Sequence, residues 1–400
     1  ELTDAAGRPA AAAVVASRPA PPGRPTVLLY AHHDVQPPGE DGDWASAPFE
    51  PVERDGRLFG RGAADDKAGL MVHVAALRTL LPLWGADGGV GVTVFVEGEE
   101  EIGSPTFAAF LAAHREALAA DVIVVADSTN WRVGVPGLTT TLRGLVDCTV
   151  RVDVLSHAVH SGVNGGPVLD ALTCLCRLLA TLHDEAGDVA VAGLVRGDAP
   201  GTDLTEERFR ADAGVLDGVR LAGTGSLEQR LWTRPALSVI GLDAPPVARS
   251  SNTLLPSARA RVSLRLAPGQ DPVAAMAALR RHLEDRAPFG ARVLVEEGET
   301  GAPFASDTTA AAHHLARRAF AEAYDHEVVE LGMGGSIPFL AELAAVYPDA
   351  AILVTGVEDP DSRAHGADES LHLADFERAC LAHVLLLDAL AAVGEGGGAA

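Results

Sequence analysis

Cysteine is scarce in this chain. The 400 residues hold four, Cys148, Cys174, Cys176 and Cys380, and no CxxC pair. That excludes a disulfide scaffold, and the four are expected to be reduced and mostly buried. Cys174 and Cys176 stand two apart in an expected helix, so they should point to different sides. Positive charge is also short: 31 Lys and Arg face 55 Asp and Glu, a formal net charge of −24. Such a surface repels nucleic acid and anionic membrane, so neither is expected as a partner. No apolar run reaches the ~18–20 residues needed to span a bilayer. No signal peptide is visible, which makes a cytoplasmic protein the expectation. The chain starts at Glu1 rather than Met, so a preceding segment is expected. No GxSxG elbow occurs and no cysteine sits in a catalytic motif, which disfavours a serine or cysteine hydrolase.

What remains is ordinary globular material, 48% hydrophobic and 22% charged. A single core rarely grows past about 250–300 residues, so two domains are expected. Strands over 26–31, 90–96 and 121–126 alternate with helices over 69–83 and 105–119, the signature of an α/β layer. Near residue 140 the texture changes. Residues 145–155 and 258–267 alternate apolar and polar, as half-exposed antiparallel strands do. Helices are expected over 168–183 and 272–286, a strand over 291–297, and loop over 187–230. Helix–strand alternation then returns with helices over 308–323, 338–345 and 374–392 and a strand over 351–355. The tail after residue 393 is expected to be disordered. The predicted fold class is therefore α/β: a central mixed sheet flanked by helices, residues 1–139 and 300–400, interrupted by a smaller α+β domain over 140–299.

Acids and histidines collect just past the ends of the predicted strands. His32, His33 and Asp34 follow the first, Glu97, Glu99, Glu100 and Glu101 the second, Asp127 the third, and His365 a loop after 351–355. Asp65 and Asp66 lie between, in GRGAADDKAG. In open α/β sheets that edge binds ligands. One histidine there is usually structural, a glutamate run is usually solvated, and an Asp after a strand is often a helix cap. Five such groups on one edge would require five coincidences. Converging carboxylates repel and raise one another's pKa values, and a cation removes that penalty. Histidine and carboxylate without cysteine suit Zn²⁺, with Mn²⁺ or Co²⁺ as substitutes. Three carboxylates and two histidines suffice for two ions if one Asp bridges. A water between the ions is then hydroxide near neutral pH, and a further carboxylate is needed to move protons.

The segments AHHDVQPPG, DWASAPFEPVERDGRLFGRGAADDKAG, EGEEEIGS, AVHSGVNGG, LWTRPALSVIGLD, SNTLLP, GGSIP and AHGADES run in order over residues 26–373. They resemble the carnosinase-like dipeptidases, within the dinuclear zinc metallopeptidases that include carboxypeptidase G, succinyl-diaminopimelate desuccinylase and aminoacylase. The resemblance implies that His32 and Asp127 serve one metal, Glu101 and His365 the other, and Asp65 bridges both. Glu100 is implied as general base, and Asp34 as the acid that orients His32. His33 is read as a non-ligand and Glu99 as solvated. The 140–299 insert resembles a lid and dimerisation domain. Its His160 would reach the site of a second subunit and stabilise the oxyanion, while His157 has no counterpart and is expected to be structural or exposed. Asn252 and Arg265 are implied to hold the substrate's carbonyl and carboxylate. Gly335 and Ser336 would bind the terminal carboxylate through backbone N–H groups, before a helix that Pro338 can start. Two departures stand out. Gly332-Met333 precedes GGSIP where the family often has an Arg-Glu pair, and little of the family's N-terminal helical segment is present.

The implied activity is hydrolysis of dipeptides by a hydroxide bridging two zinc ions, with Glu100 as base and a homodimer built through the lid. A deacylase of N-acyl amino acids on the same site is the nearest alternative. A non-catalytic metal-binding homologue is the other, and an intact Glu100 weighs against it.

Overall fold

The structure, a computed structural model, describes residues 2–3, 7–335 and 337–393. The expected disordered tail and Ser336 lie outside the described residues. The chain forms two compact units, one of Glu1–Thr140, Ser306–Leu331 and Ile337–Ala400, the other of Thr141–Ala305 and Gly332–Ser336.

In the first unit a mixed sheet runs in the order Val14–Arg18, Gly91–Glu97, Thr26–His32, Val122–Val125, Ala351–Thr355 and Gly137–Leu142. The four inner strands are mutually parallel, and the first and last pair antiparallel to them. Inner strands buried on both faces read as continuous apolar runs, which is why VLLYA and VIVV were legible. Alternate residues serve opposite layers. Val27 and Leu29 join Ala76, Leu80, Ala316 and Leu386 from the helices Lys67–Trp84, Ala311–Tyr324 and Leu373–Val393. Tyr30 faces the other way and stacks on Phe339 of helix Pro338–Val346, with ring centroids 4.2 Å apart. Phe107 and Phe110 of helix Phe107–Ala113 complete that layer against Phe95. The helix expected over 105–119 thus stops early, and one further turn closes from the Leu118 N–H to the His114 carbonyl. The mixed sheet flanked by helices is the architecture expected from the sequence.

The second unit has a four-stranded antiparallel sheet in the order Ala236–Asp243, Ser257–Leu266, Gly144–Asp153 and Arg292–Gly301. One face packs on helices Ala171–Ala180 and Pro272–Asp285 through Val146, Val150, Val262, Leu264, Leu175 and Leu279. Asp170 caps the first helix by accepting the Thr173 N–H, and Asp271 caps the second by accepting that of Ala274. Cys174 is buried and Cys176 exposed, on different sides of the helix as expected. The stretch read as loop contains a short helix, Glu206–Asp212, capped by Thr205. Among the described residues no helix is long and apolar enough to cross a membrane.

Candidate metal centre

Parallel strands end at one edge, and here that edge carries the acids and histidines. His32 is the last residue of its strand and pairs in register with Glu97, the last of the neighbouring strand. The third strand ends at Val125, two residues before Asp127. Glu100 and Glu101 sit on a 3₁₀ turn, Glu100–Ile102, just past Glu97. Asp65 and Asp66, joined by a cis peptide bond, precede the helix Lys67–Trp84. Gly69 lets that helix press against the sheet edge, because a Cβ there would lie 2.0 Å from the Ala126 carbonyl oxygen. His365 belongs to the loop between Ala351–Thr355 and Ser370–His372 and adopts a left-handed φ of 64°.

The side chains converge around Asp65. Its Oδ1 lies 2.9 Å from His32 Nε2 and its Oδ2 lies 2.9 Å from His365 Nε2. Glu101 Oε2 is 3.2 Å from His365 Nε2, and Asp127 Oδ1 is 3.9 Å from His32 Nε2. Two groups could each hold an ion: Asp65, Glu101 and His365, and His32, Asp66 and Asp127, with donor atoms in each within 4.8 Å of one another. Asp66 was not singled out from the sequence. One of its oxygens accepts the His32 backbone N–H at 3.1 Å, whereas Asp65 turns one oxygen to each histidine. Asp65 is therefore the better shared ligand. A set of imidazole and carboxylate donors without sulfur fits a divalent cation.

A layer of hydrogen bonds holds these groups. His32 Nδ1 bonds the Asp34 backbone carbonyl at 3.1 Å and lies 3.3 Å from Asp34 Oδ1, and Asp34 Oδ2 accepts the Glu101 N–H at 3.0 Å. Gln36 donates its backbone N–H to Glu101 Oε1 at 3.0 Å and its amide to Oε2 at 2.8 Å. Glu369 is fully buried. Its oxygens accept the N–H groups of Gly62, Ala64 and Asp65 at 3.0, 3.0 and 3.1 Å and the Arg61 guanidinium at 2.6 Å. The loop carrying His365 and Glu369 is thereby tied to the loop carrying Asp65. Gln36 and Glu369 lie inside the motifs AHHDVQPPG and AHGADES, and no residue pattern marked them as supports. Glu99, expected to be solvated, is buried instead: it accepts the Ala11 N–H at 2.9 Å and the Thr106 hydroxyl at 2.5 Å. Its partners lie 88 and 7 residues away, outside the glutamate run, so the run alone could not show them. His33 bonds the Ala12 carbonyl, and His157 is exposed beside Ser156.

Electrostatics match this crowding. Burial would lower the His32 pKa, but hydrogen bonds to Asp34 and Asp65 and the charge of Asp127 outweigh it and raise it to about 12. Burial would raise Asp65, yet bonding to His32 and His365 holds it well below the usual carboxylate range. Burial would raise Asp34 too, but bonding to His32 and to the Glu101 N–H lowers it, while burial and mutual repulsion push four other acids up. Glu100 rises to about 8, beside Asp127, and Asp127 to about 6, while Glu101 and Asp66 rise as well. These are carboxylates whose negative charge lacks a full complement of positive partners.

The other expected residues lie in the second unit. His160 pairs with Thr253 in a two-residue ladder, and Asn252 accepts the Ser161 N–H through its carbonyl at 2.9 Å, so His160 and Asn252 are neighbours. His160 Nδ1 accepts the Gly162 N–H at 3.0 Å, which leaves the ring proton on Nε2. Arg265 is half-buried on the strand Ser257–Leu266, and Gly335 is exposed.

Comparison with known proteins gives this arrangement a family. The model of "Peptidase family M20/M25/M40" matches residues 28–389. Cysteinylglycine-S-conjugate dipeptidase of Corynebacterium striatum is 38% identical over 368 residues, covering 91% of this chain and 80% of that protein. Beta-Ala-His dipeptidase of Rattus norvegicus is 26% identical over 391 residues, covering 93% and 78%. In fold, the M20 family metallo-carboxypeptidase Sso-CP2 of Sulfolobus solfataricus superposes with a TM-score of 0.79 at 22% identity, over 98% of this chain and 90% of that one. The resemblance carried by the motifs holds, and the chain belongs to peptidase family M20/M25/M40.

Proposed function

We propose that this peptidase is a metal-dependent dipeptidase with two metal sites sharing Asp65. One observation carries the reading: a single buried carboxylate turns one oxygen to His32 and the other to His365. His32 and Asp127 would complete one site, Glu101 and His365 the other. Zinc ions held there would polarise the scissile carbonyl and bring the pKa of water close to neutrality. Manganese or cobalt fits the same donors.

The chain's own residues divide the remaining work. Glu100 takes a proton from the attacking water and passes it to the leaving nitrogen. Asp34 holds His32 by its ring nitrogen and Glu101 by its backbone, so it fixes one group of each site. The second unit serves as lid and dimerisation domain. His160 of a second copy, with its proton on Nε2, donates to the developing oxyanion. Asn252, Arg265 and the loop with Gly335 and Ser336 hold the substrate's carbonyl and carboxylate. The activity named for the 38% identical relative supports a dipeptide substrate and makes S-substituted Cys-Gly the first to try.

The test is hydrolysis of a dipeptide panel by metal-loaded and chelated enzyme, beside N-acetyl and N-succinyl amino acids. Metal-dependent cleavage of dipeptides is expected, and cleavage of acyl amino acids alone would make the enzyme a deacylase. Glu100→Ala should lower turnover about 10²–10⁴-fold with metal content unchanged. Near-normal rates in that variant would remove Glu100 from the mechanism. His160→Ala should lower kcat roughly 100-fold.

A further inference from the structure

The second unit buries a cation without an anion. Arg143 follows the strand Gly137–Leu142 and is only 9% exposed. Its backbone N–H bonds the Met333 carbonyl at 3.1 Å, which fastens it to the loop before Gly335. Its Nη1 donates to the Arg230 carbonyl over a long 3.4 Å, and its Nε has no partner. Among the described residues no carboxylate pairs with it. Its charged neighbour is another guanidinium, Arg265, and burial together with that repulsion lowers the Arg143 pKa to about 10. The sheet register explains the meeting: Arg265 stands opposite Leu145, two residues from Arg143. Gly334 lies against the same guanidinium, where a Cβ would come within 2.6 Å of Nη2.

A guanidinium stays charged at any physiological pH, and burying it without an anion is costly. Acids are plentiful in this chain, and the same sheet pairs Arg261 with Asp147 at 2.9 Å. We propose that Arg143 is the fixed, buried member of the subsite that binds the substrate's free carboxylate, and that it sets the preference for a free acid over an amide at that end. The proposal rests on the dipeptidase reading and adds to it a specificity-determining residue. A carboxylate suits the place because it accepts two parallel N–H bonds from a guanidinium fork, and because the glycine loop brings backbone close to it.

The experiment compares Ala-Leu with Ala-Leu amide in wild type, Arg143→Met and Arg143→Lys. Wild type should favour the free acid strongly. Arg143→Met should lose roughly 100-fold in kcat/KM on Ala-Leu, mainly through KM, and change little on the amide. Arg143→Lys should recover part of the discrimination. Equal losses on both substrates with a lowered Tm would mark Arg143 as structural and overturn the proposal, as would unchanged discrimination in folded Arg143→Met. A second readout needs no turnover: calorimetric binding of free leucine and of leucinamide to the protein. Leucine binding lost in Arg143→Met supports the subsite, and equal binding by both proteins overturns it. If wild type cleaves no dipeptide, the dipeptidase reading fails and the leucine measurement alone decides on Arg143.

Discussion

Two loops of this molecule border buried charge, and they treat it in opposite ways. Residues 61–65 wrap the carboxylate of Glu369, which takes three backbone N–H groups and the Arg61 guanidinium. Gly334 of the other loop borders the guanidinium of Arg143, whose Nε is unpartnered and whose charged neighbour is Arg265. A carboxylate with four donors has little capacity left for a ligand and acts as scaffold. A buried cation with open donors keeps that capacity, so its missing partner is sought in the substrate. The difference teaches that burial alone does not identify function; what matters is whether the buried charge is already answered.

The largest expected effect tests the closed side. Glu369→Ala would leave Arg61 buried without its anion and three N–H groups without acceptors. A stability loss of about 3–5 kcal/mol is expected in urea unfolding. Metal affinity should fall too, because the backbone of Asp65 loses its anchor. Arg143→Met removes a charge without leaving an opposite charge unpaired, and loses only the long bond to the Arg230 carbonyl, so its stability should stay within about 1 kcal/mol of wild type. If the two variants lost the same stability, the contrast between the loops would be wrong.

A smaller effect concerns groups that can escape charge altogether. His73 and His383 are buried in the first unit with ring centroids 5.5 Å apart. His73 Nε2 bonds the Tyr30 carbonyl at 2.9 Å and its Nδ1 has no partner. An open nitrogen is tolerable there because imidazole can stay neutral, as guanidinium cannot. Burial lowers His73 to about 4. It lowers His383 to about 3, with His73 adding to the effect. Both folded values lie below the unfolded value near 6.5. Above that pH neither state binds protons at these rings, and their contribution to stability is complete. As pH falls from 6.5 toward 4 and 3, the unfolded chain binds protons that the folded chain refuses, and stability drops by on the order of 1 kcal/mol per pH unit for each ring. Urea midpoints of chelated protein at pH 7 and pH 5 should show this loss. His383→Gln should flatten it, and an unchanged slope would remove His383 from the account.

Much of the first unit was legible because its inner strands are buried on both faces and read as apolar runs, with His32 and Asp127 set at their ends. The second unit's central strands showed as alternation for the complementary reason, since one face is covered by helices and the other is not. The strand Ala236–Asp243 was not marked as a strand because it lies at a sheet edge with Val239, Ile240 and Leu242 exposed, so no polar–apolar rhythm sets it apart. At the site, ligand-type residues announce themselves by chemistry, but supports do not. Glu369 and Gln36 are common residue types whose work depends on partners 65 to 308 residues away. Arg143 was invisible for another reason: its significance is a missing partner, and a sequence does not display what fails to arrive.

Gln36 offers the finest test of the comparison, because it is a support with redundancy. Its side-chain amide donates to Glu101 Oε2 and to the Glu101 carbonyl, at 2.8 and 3.1 Å. Gln36→Ala removes both bonds and leaves no buried charge unpaired. The backbone N–H of residue 36 still reaches Glu101 Oε1, and Asp34 still accepts the Glu101 N–H. Glu101 should therefore be loosened rather than released. Supports of this kind are worth about 10–100-fold in metal affinity, and the surviving bonds place the expectation near 10-fold. Chelator competition should show weakening of the site formed by Asp65, Glu101 and His365, with the urea midpoint unchanged. Equal weakening of both sites would mean that Gln36 acts on Asp65 or Asp34 rather than on Glu101. A stability loss as large as that of Glu369→Ala would place Gln36 among the closed scaffold groups, and the line between scaffold and tunable support would have to be drawn closer to the metal ligands.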